Sequence, residues 1–114
     1  MTEPKIFDLE GALERTENDK DFLFELIDLF FENYAEGLSG LKEALDSKNA
    51  VELQSRAHTM KGALANIGAS AAAEICLALE KAGRENSLET GAELIAALEG
   101  EIEKFRLEAG KSRP

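Results

Sequence analysis

The sequence predicts an all-α fold, an antiparallel up-down four-helix bundle with a short additional N-terminal helix. Three observations carry this. Apolar residues recur every three to four positions through most of the chain, as one face of a helix requires. Proline stands only at positions 4 and 114, outside every candidate helix. Alternating apolar and polar runs of the strand type are absent. A chain of 114 residues fits one domain with a continuous core of its own. That core is expected over about residues 6–108, with residues 109–114 a polar tail that frays.

The first helix is expected from about Asp8 to Arg15, with Asp8 as N-cap and Leu9 and Leu13 on one face, lying across one end of the bundle. The second runs from about Asp19 to Leu45 and places Leu23, Ile27, Phe30, Tyr34, Leu38, Leu41 and Leu45 on one stripe. Gly37 and Gly40 weaken its second half, each by about 1 kcal/mol relative to Ala. Asn49 with Glu52 forms a capping-box pattern for the third helix, and Gly68 suits the left-handed position that closes it. Its stripe is Leu53, Ala57, Met60, Leu64 and Ile67. Ser70 is expected to cap a fourth helix carrying Ile75, Leu79 and Ala82, which ends at Gly83. Asn86 with Glu89 then opens a fifth, with Ala92, Ile95, Leu98, Ile102 and Phe105 facing the core. Short loops between four long helices favour antiparallel neighbours.

Composition excludes several functions. A formal charge of -10 with no concentrated basic patch argues against nucleic acid as a partner. No apolar stretch approaches the roughly 20 residues needed to span a bilayer, and no signal-like run follows Met1, so no membrane contact and a cytoplasmic location are expected. Met1 and the polar tail suggest a free-standing unit. Cys76 is the sole cysteine, inside an apolar helical segment, so it reads as a buried inert thiol. One histidine, one cysteine and scattered carboxylates provide no closed metal-ligand set, and no phosphate-cradling glycine loop is present.

His58 is the single histidine. Successive helical residues rotate by about 100°, so with the Leu53–Ala57–Leu64 stripe inward, His58 faces outward from the middle of the third helix. Lys61, Gly62 and Ala65 share its sector. Neutral imidazole is a nucleophile, and its phosphoramidate is labile enough to pass a phosphoryl group onward. Lys61, one turn away, can offset phosphoryl charge as a point cation. Gly62 costs helix stability, which clearance for another protein's active site would explain. Taken singly, each has a blander account: a solvated histidine, a surface lysine, a tolerated glycine.

The run Arg56-Ala57-His58-Thr59-Met60-Lys61-Gly62-Ala63-Leu64-Ala65-Asn66-Ile67-Gly68-Ala69 resembles the signature of the histidine-phosphotransfer (HPt) family. In that signature His is followed by Lys-Gly and, six residues after that glycine, by a second glycine. His58, Lys61, Gly62, Asn66, Gly68 and the leading Ala57 fit, while Met60 and Ala63 stand where Leu and Ser are frequent. The resemblance extends more loosely over about residues 6–107, including Phe7-Asp8-Leu9 and Leu79-Glu80.

The resemblance implies a four-helix bundle with His58 phosphorylated on Nε2, Lys61 balancing charge, Gly62 and Ala65 leaving access, and Asn66 and Gly68 ending the motif. It implies no intrinsic catalysis and no cofactor. The partner is a response-regulator receiver domain, which supplies the catalytic groups and Mg²⁺, with a histidine kinase or hybrid kinase upstream. A monomer is expected.

Two assignments are looser. Glu80 follows Gly68 by about the interval at which His58 precedes it, so an antiparallel hairpin brings the two to similar height. Glu80 could then accept the Nδ1 hydrogen of His58; an i,i+4 surface pair with Arg84 explains it equally. On the second helix, Phe22, Leu26 and Leu29 form one flank, expected to pack under the first helix with Leu9 and Leu13. Phe24 and Phe31 form the other, and with Gln54 and Ser55 are candidates for a docking surface, core packing being the alternative. Three functions follow: a relay carrier between receiver domains, the directly phosphorylated substrate domain of a chemotaxis-type kinase, or a helical adaptor whose histidine stays unmodified.

Overall fold

The computed structural model describes residues 3–114; Met1, from which the free-standing reading started, and Thr2 lie outside it. Five helices follow in order: α1 (Leu9–Arg15), α2 (Lys20–Asp46), α3 (Ala50–Asn66), α4 (Ser70–Arg84) and α5 (Gly91–Ser112). No strand occurs among the described residues. Helices α2 to α5 pack in ring order, with α5 closing back on α2, and α1 contacts α2 and α3 at one end. Asp8 N donates to Gly68 O at 2.7 Å, fastening the start of α1 to the α3–α4 turn.

The apolar stripes meet where periodicity places them, except that Ala92, in the first turn of α5, is exposed and does not face the core. Leu23, Ile27 and Leu41 from α2, Leu53 and Leu64 from α3, Leu79 from α4, and Leu98, Ile102 and Phe105 from α5 are all fully enclosed. Burying each such side chain contributes about 1.5–3 kcal/mol relative to leaving it in water. Phe7 closes one end, meeting Phe105 edge-to-face at 5.2 Å. Cys76 is wholly buried and its thiol is pushed up to about 12 by burial, against a smaller opposing pull from Lys61, which makes it unreactive.

Two N-caps form as the sequence predicts, the side chains of Asp8 and Asn49 accepting from the backbone N–H groups of Gly11 and Glu52. Asp19, expected to begin the second helix, instead caps it by accepting from Phe22 N–H. The capping box at α3 is only half made, because the Glu52 carboxylate turns to Arg56 at 2.8 Å. Other boundaries differ from expectation. Ser70 is the first residue of α4 and caps nothing; Ala69 stands at the cap position, and the Lys5 carbonyl accepts from Ala71 N at 2.8 Å. Helix α4 passes through Gly83 to Arg84, and the left-handed residue beyond it is Asn86 (φ 52°). Gly83 is there for closeness: a Cβ would lie 2.7 Å from both Ala50 O and Gln54 N, so it lets α4 touch the α3 backbone. Asn86 and Glu89 form no capping box; Glu89 accepts from the Ser87 hydroxyl at 2.9 Å, and α5 starts at Gly91. The segment expected as a polar tail is helical to Ser112, and Arg113 meets Asp28 with two hydrogen bonds of 2.7 and 3.3 Å.

Candidate functional site

His58 sits midway along α3, held there by Ala57 and Leu64, which lock the opposite face of the helix into the core. Its side chain is 66 % exposed. The α3–α4 hairpin turns at Gly68, whose φ of +83° and close approach to Asp8 O leave no room for a Cβ. That turn sets α4 antiparallel to α3 and brings Glu80 opposite His58.

Glu80 is the buried member of the group, with 11 % of its side chain exposed. Its Oε2 lies 3.1 Å from His58 Nδ1, and its Oε1 accepts from Lys61 Nζ at 2.6 Å. Arg84 Nη2 approaches Oε2 at 3.8 Å, an ion pair without a hydrogen bond. Both sequence accounts of Glu80 therefore occur together, with histidine and lysine the closer partners. The Lys61 hydrogen bond holds the Glu80 carboxyl below its ordinary range, burial opposes this, and the His58 hydrogen bond adds to it. With Nδ1 engaged, Nε2 is the ring nitrogen with no hydrogen-bond partner among the described residues.

Gly62 and Ala65 continue the His58 row toward the turn. Gly62 is exposed, and a Cβ there would meet no atom within 4 Å, so nothing inside the fold requires glycine. Asn66 is exposed at the last turn of α3. On the other side of His58, Gln54 is half-buried beside Gly83 and Arg84, and Ser55 is exposed. Arg84 is the residue that sequence reasoning treated only as a surface partner. Its place one turn after Glu80 signals a second cation within the site.

The apolar flanks of α2 are the reverse of expectation. Phe24 is 3 % exposed, under Phe7 and the Arg113 guanidinium, so it is core and offers no docking surface. Phe31 is half-buried, stacked on Phe105 at 6.1 Å with Arg106 over its ring. The open flank is Phe22 and Leu29, 46 % and 53 % exposed, which α1 leaves uncovered. With Leu26, Phe30 and Tyr34 they face Ser55, Thr59, Met60 and Ala63 of α3 across a groove of about 830 Å³. Ser55 lines this groove and lies one turn from His58, so groove and histidine share one continuous face. Among the described residues, no three His, Cys, Asp or Glu side chains converge as metal ligands, and no helix is long and apolar enough to cross a membrane.

Residues 25–108 match the Hpt domain family, which spans α2 to α5 and includes His58, Lys61, Gly62 and Glu80. The chain belongs to the Hpt domain family. Among solved structures, this Hpt protein is similar to histidine-containing phosphotransfer protein B of Pseudomonas aeruginosa, with a TM-score of 0.85 and 29 % identity. The match covers 97 % of this chain and 96 % of that one, so the helical bundle and its N-terminal helix are shared along their length. A comparison with curated protein sequences found no match. The Hpt domain makes the chain a histidine phosphotransfer protein of two-component signalling, a class of phosphocarriers whose partners are kinases and response regulators.

Proposed function

We propose that His58 is the phosphorylated residue, through Nε2, and that the chain accepts the group from a phospho-aspartyl receiver domain or a histidine kinase and hands it to a response-regulator receiver aspartate. The observation that carries this is the His58 Nδ1 contact with Glu80, on a ring that stands two-thirds exposed. A hydrogen on Nδ1 pointed at a carboxylate leaves the Nε2 lone pair outward and free to attack. Lys61 supplies positive charge one turn away, Arg84 supplies more from α4, and Gly62 and Ala65 leave room for an incoming active site. Mg²⁺ and the acid–base groups belong to the receiver domain.

The docking surface in this proposal is the face that joins His58, Gln54 and Ser55 to the Phe22–Leu26–Leu29 groove. An apolar patch of this kind beside a reactive side chain suits a partner that must seat itself before transfer. The test incubates the protein with a receiver domain phosphorylated by acetyl phosphate and follows acid-labile, base-stable label. Label on the native chain and none on His58→Gln is expected; label persisting in the variant defeats the proposal. Glu80 supports a second reading equally, direct phosphorylation by a kinase catalytic domain with ATP, because a carboxylate on Nδ1 raises the nucleophilicity of Nε2 toward any donor. A parallel incubation with such a domain separates the two.

A further inference from the structure

Glu80 divides its oxygens between two partners, Oε1 for Lys61 and Oε2 for His58 Nδ1, and is the most enclosed of the three side chains: 11 % exposed against 28 % for Lys61 and 66 % for His58. Phosphoryl transfer changes the charges that this arrangement must satisfy. A neutral imidazole with its hydrogen on Nδ1 attacks an aspartyl phosphate through the Nε2 lone pair. The N–P bond forms, and the electron pair of the breaking P–O bond returns to the carboxylate. The ring then carries a positive charge, the phosphoryl group is a dianion, and Nδ1 still holds its hydrogen. No proton has to move for the step to balance.

Resting on His58 as the carrier, we infer that phosphorylation re-pairs the trio. Lys61 turns from Glu80 to the phosphoryl group, and Glu80 keeps the Nδ1 hydrogen on the charged ring, so transfer in either direction proceeds without proton exchange with water. Lys61 can make the move because its ammonium is a point charge on a flexible stem, with three donors and no fixed orientation. Glu80 cannot follow, because it is enclosed against α3, and a buried carboxylate stripped of partners is costly. The ring cation is the partner left to it. The charged groups facing the ring are Lys61 from α3 and Glu80 and Arg84 from α4. Both cations oppose a charged ring, whereas Glu80 favours it from hydrogen-bond distance. The retained hydrogen has a use. Imidazole leaves as a neutral group when the N–P bond breaks only if Nδ1 is protonated, so the loaded carrier stays ready to donate.

The chain has one histidine, so nitrogen-15 histidine labelling reports on His58 alone. Phosphoramidate, a small donor, loads the protein without a partner, and NMR follows Nδ1 as pH rises. The phosphorylated native chain is expected to hold the Nδ1 proton to a pH about one unit or more above that of phosphorylated Glu80→Gln, a tenfold difference in proton affinity. Lys61→Gln is expected to hold the proton to at least as high a pH as the native chain, because a cation opposing the charged ring is gone, while its phosphorus resonance moves, because the phosphoryl group has lost its ammonium. Equal midpoints in the native chain and Glu80→Gln, or an unmoved phosphorus resonance in Lys61→Gln, overturn this inference alone. Absence of any phosphoryl group on Nε2 in the native chain overturns the carrier reading and this inference with it.

Discussion

Lys61 Nζ reaches from α3 to Glu80 Oε1 on α4, 2.6 Å away, and the contact makes part of the fold's stability depend on pH. The folded-state carboxyl of Glu80 titrates below its ordinary range, chiefly through Lys61. A depressed carboxylate contributes stability that is present above its ordinary value and lost as pH falls through the folded one. In urea unfolding, Glu80→Gln is therefore expected to be less stable than the native chain at neutral pH, with the gap closing as pH drops through the carboxylate range. A gap that stays constant from neutral to acid would show that Glu80 stabilises by packing alone.

Gly62 gives a sharper separation of stability from function. A Cβ there meets nothing, so Gly62→Ala is expected to raise stability by up to about 1 kcal/mol through helix propensity. Gly62→Leu should fold as well as the native chain and exchange phosphoryl with a receiver roughly tenfold or more slowly, since a partner's reacting atoms would be held off Nε2. Thermal unfolding beside single-turnover transfer measures both. Unimpaired transfer by the leucine variant would leave Gly62 without a role in access.

How much of this was legible beforehand depends on what each residue answers to. Helix count, most of the inward stripes and the caps at Asp8 and Asn49 answer to local spacing, and the sequence contains them. The height match of Glu80 and His58 also follows from rise per residue once Gly68 is taken as the turn. Gly83 misled because a glycine near a helix end most often marks the stop; here it serves a contact with Ala50 and Gln54, residues about thirty positions away. The open flank of α2 was illegible for a different reason. Periodicity groups Phe22 with Leu26 and Leu29, and Phe24 with Phe31, yet the side on which α5 packs is a matter of bundle handedness that no single helix encodes.

Gly68 and Lys48 share a left-handed backbone, with φ of +83° and +55°, and should respond oppositely to substitution. Gly68→Ala places a Cβ 2.6 Å from Asp8 O on top of the conformational cost, so a loss of about 1–3 kcal/mol is expected, along with loosening of the α3–α4 turn. Lys48→Gly relieves a non-glycine residue after α2 and should gain about 1 kcal/mol. Denaturant midpoints decide both. A neutral Gly68→Ala would mean that the turn yields more readily than its contacts with Asp8 imply.

Phe22 and Phe31 differ by nine positions on α2 and should report on different properties. Phe31 touches Phe30, Tyr34 and Phe105 and lies beneath Arg106, so Phe31→Ala removes half-buried aromatic area from the α2–α5 seam. A stability loss of about 1–3 kcal/mol is expected, below the range for a fully enclosed phenylalanine. Phe22 is nearly half exposed at the mouth of the α2–α3 groove, so Phe22→Ala should change stability by no more than about 0.5 kcal/mol. Its cost should fall on association instead. If receiver domains seat on the face that runs from this groove to His58, Phe22→Ala and Leu29→Ala raise the concentration of receiver needed for half-maximal transfer while loading by phosphoramidate stays unchanged. Phe31→Ala, assayed where it remains folded, should leave that concentration as it is. Weakened association in Phe31→Ala and not in Phe22→Ala would move the docking surface to the side of α2 that carries Phe31, a residue the sequence alone had offered for docking.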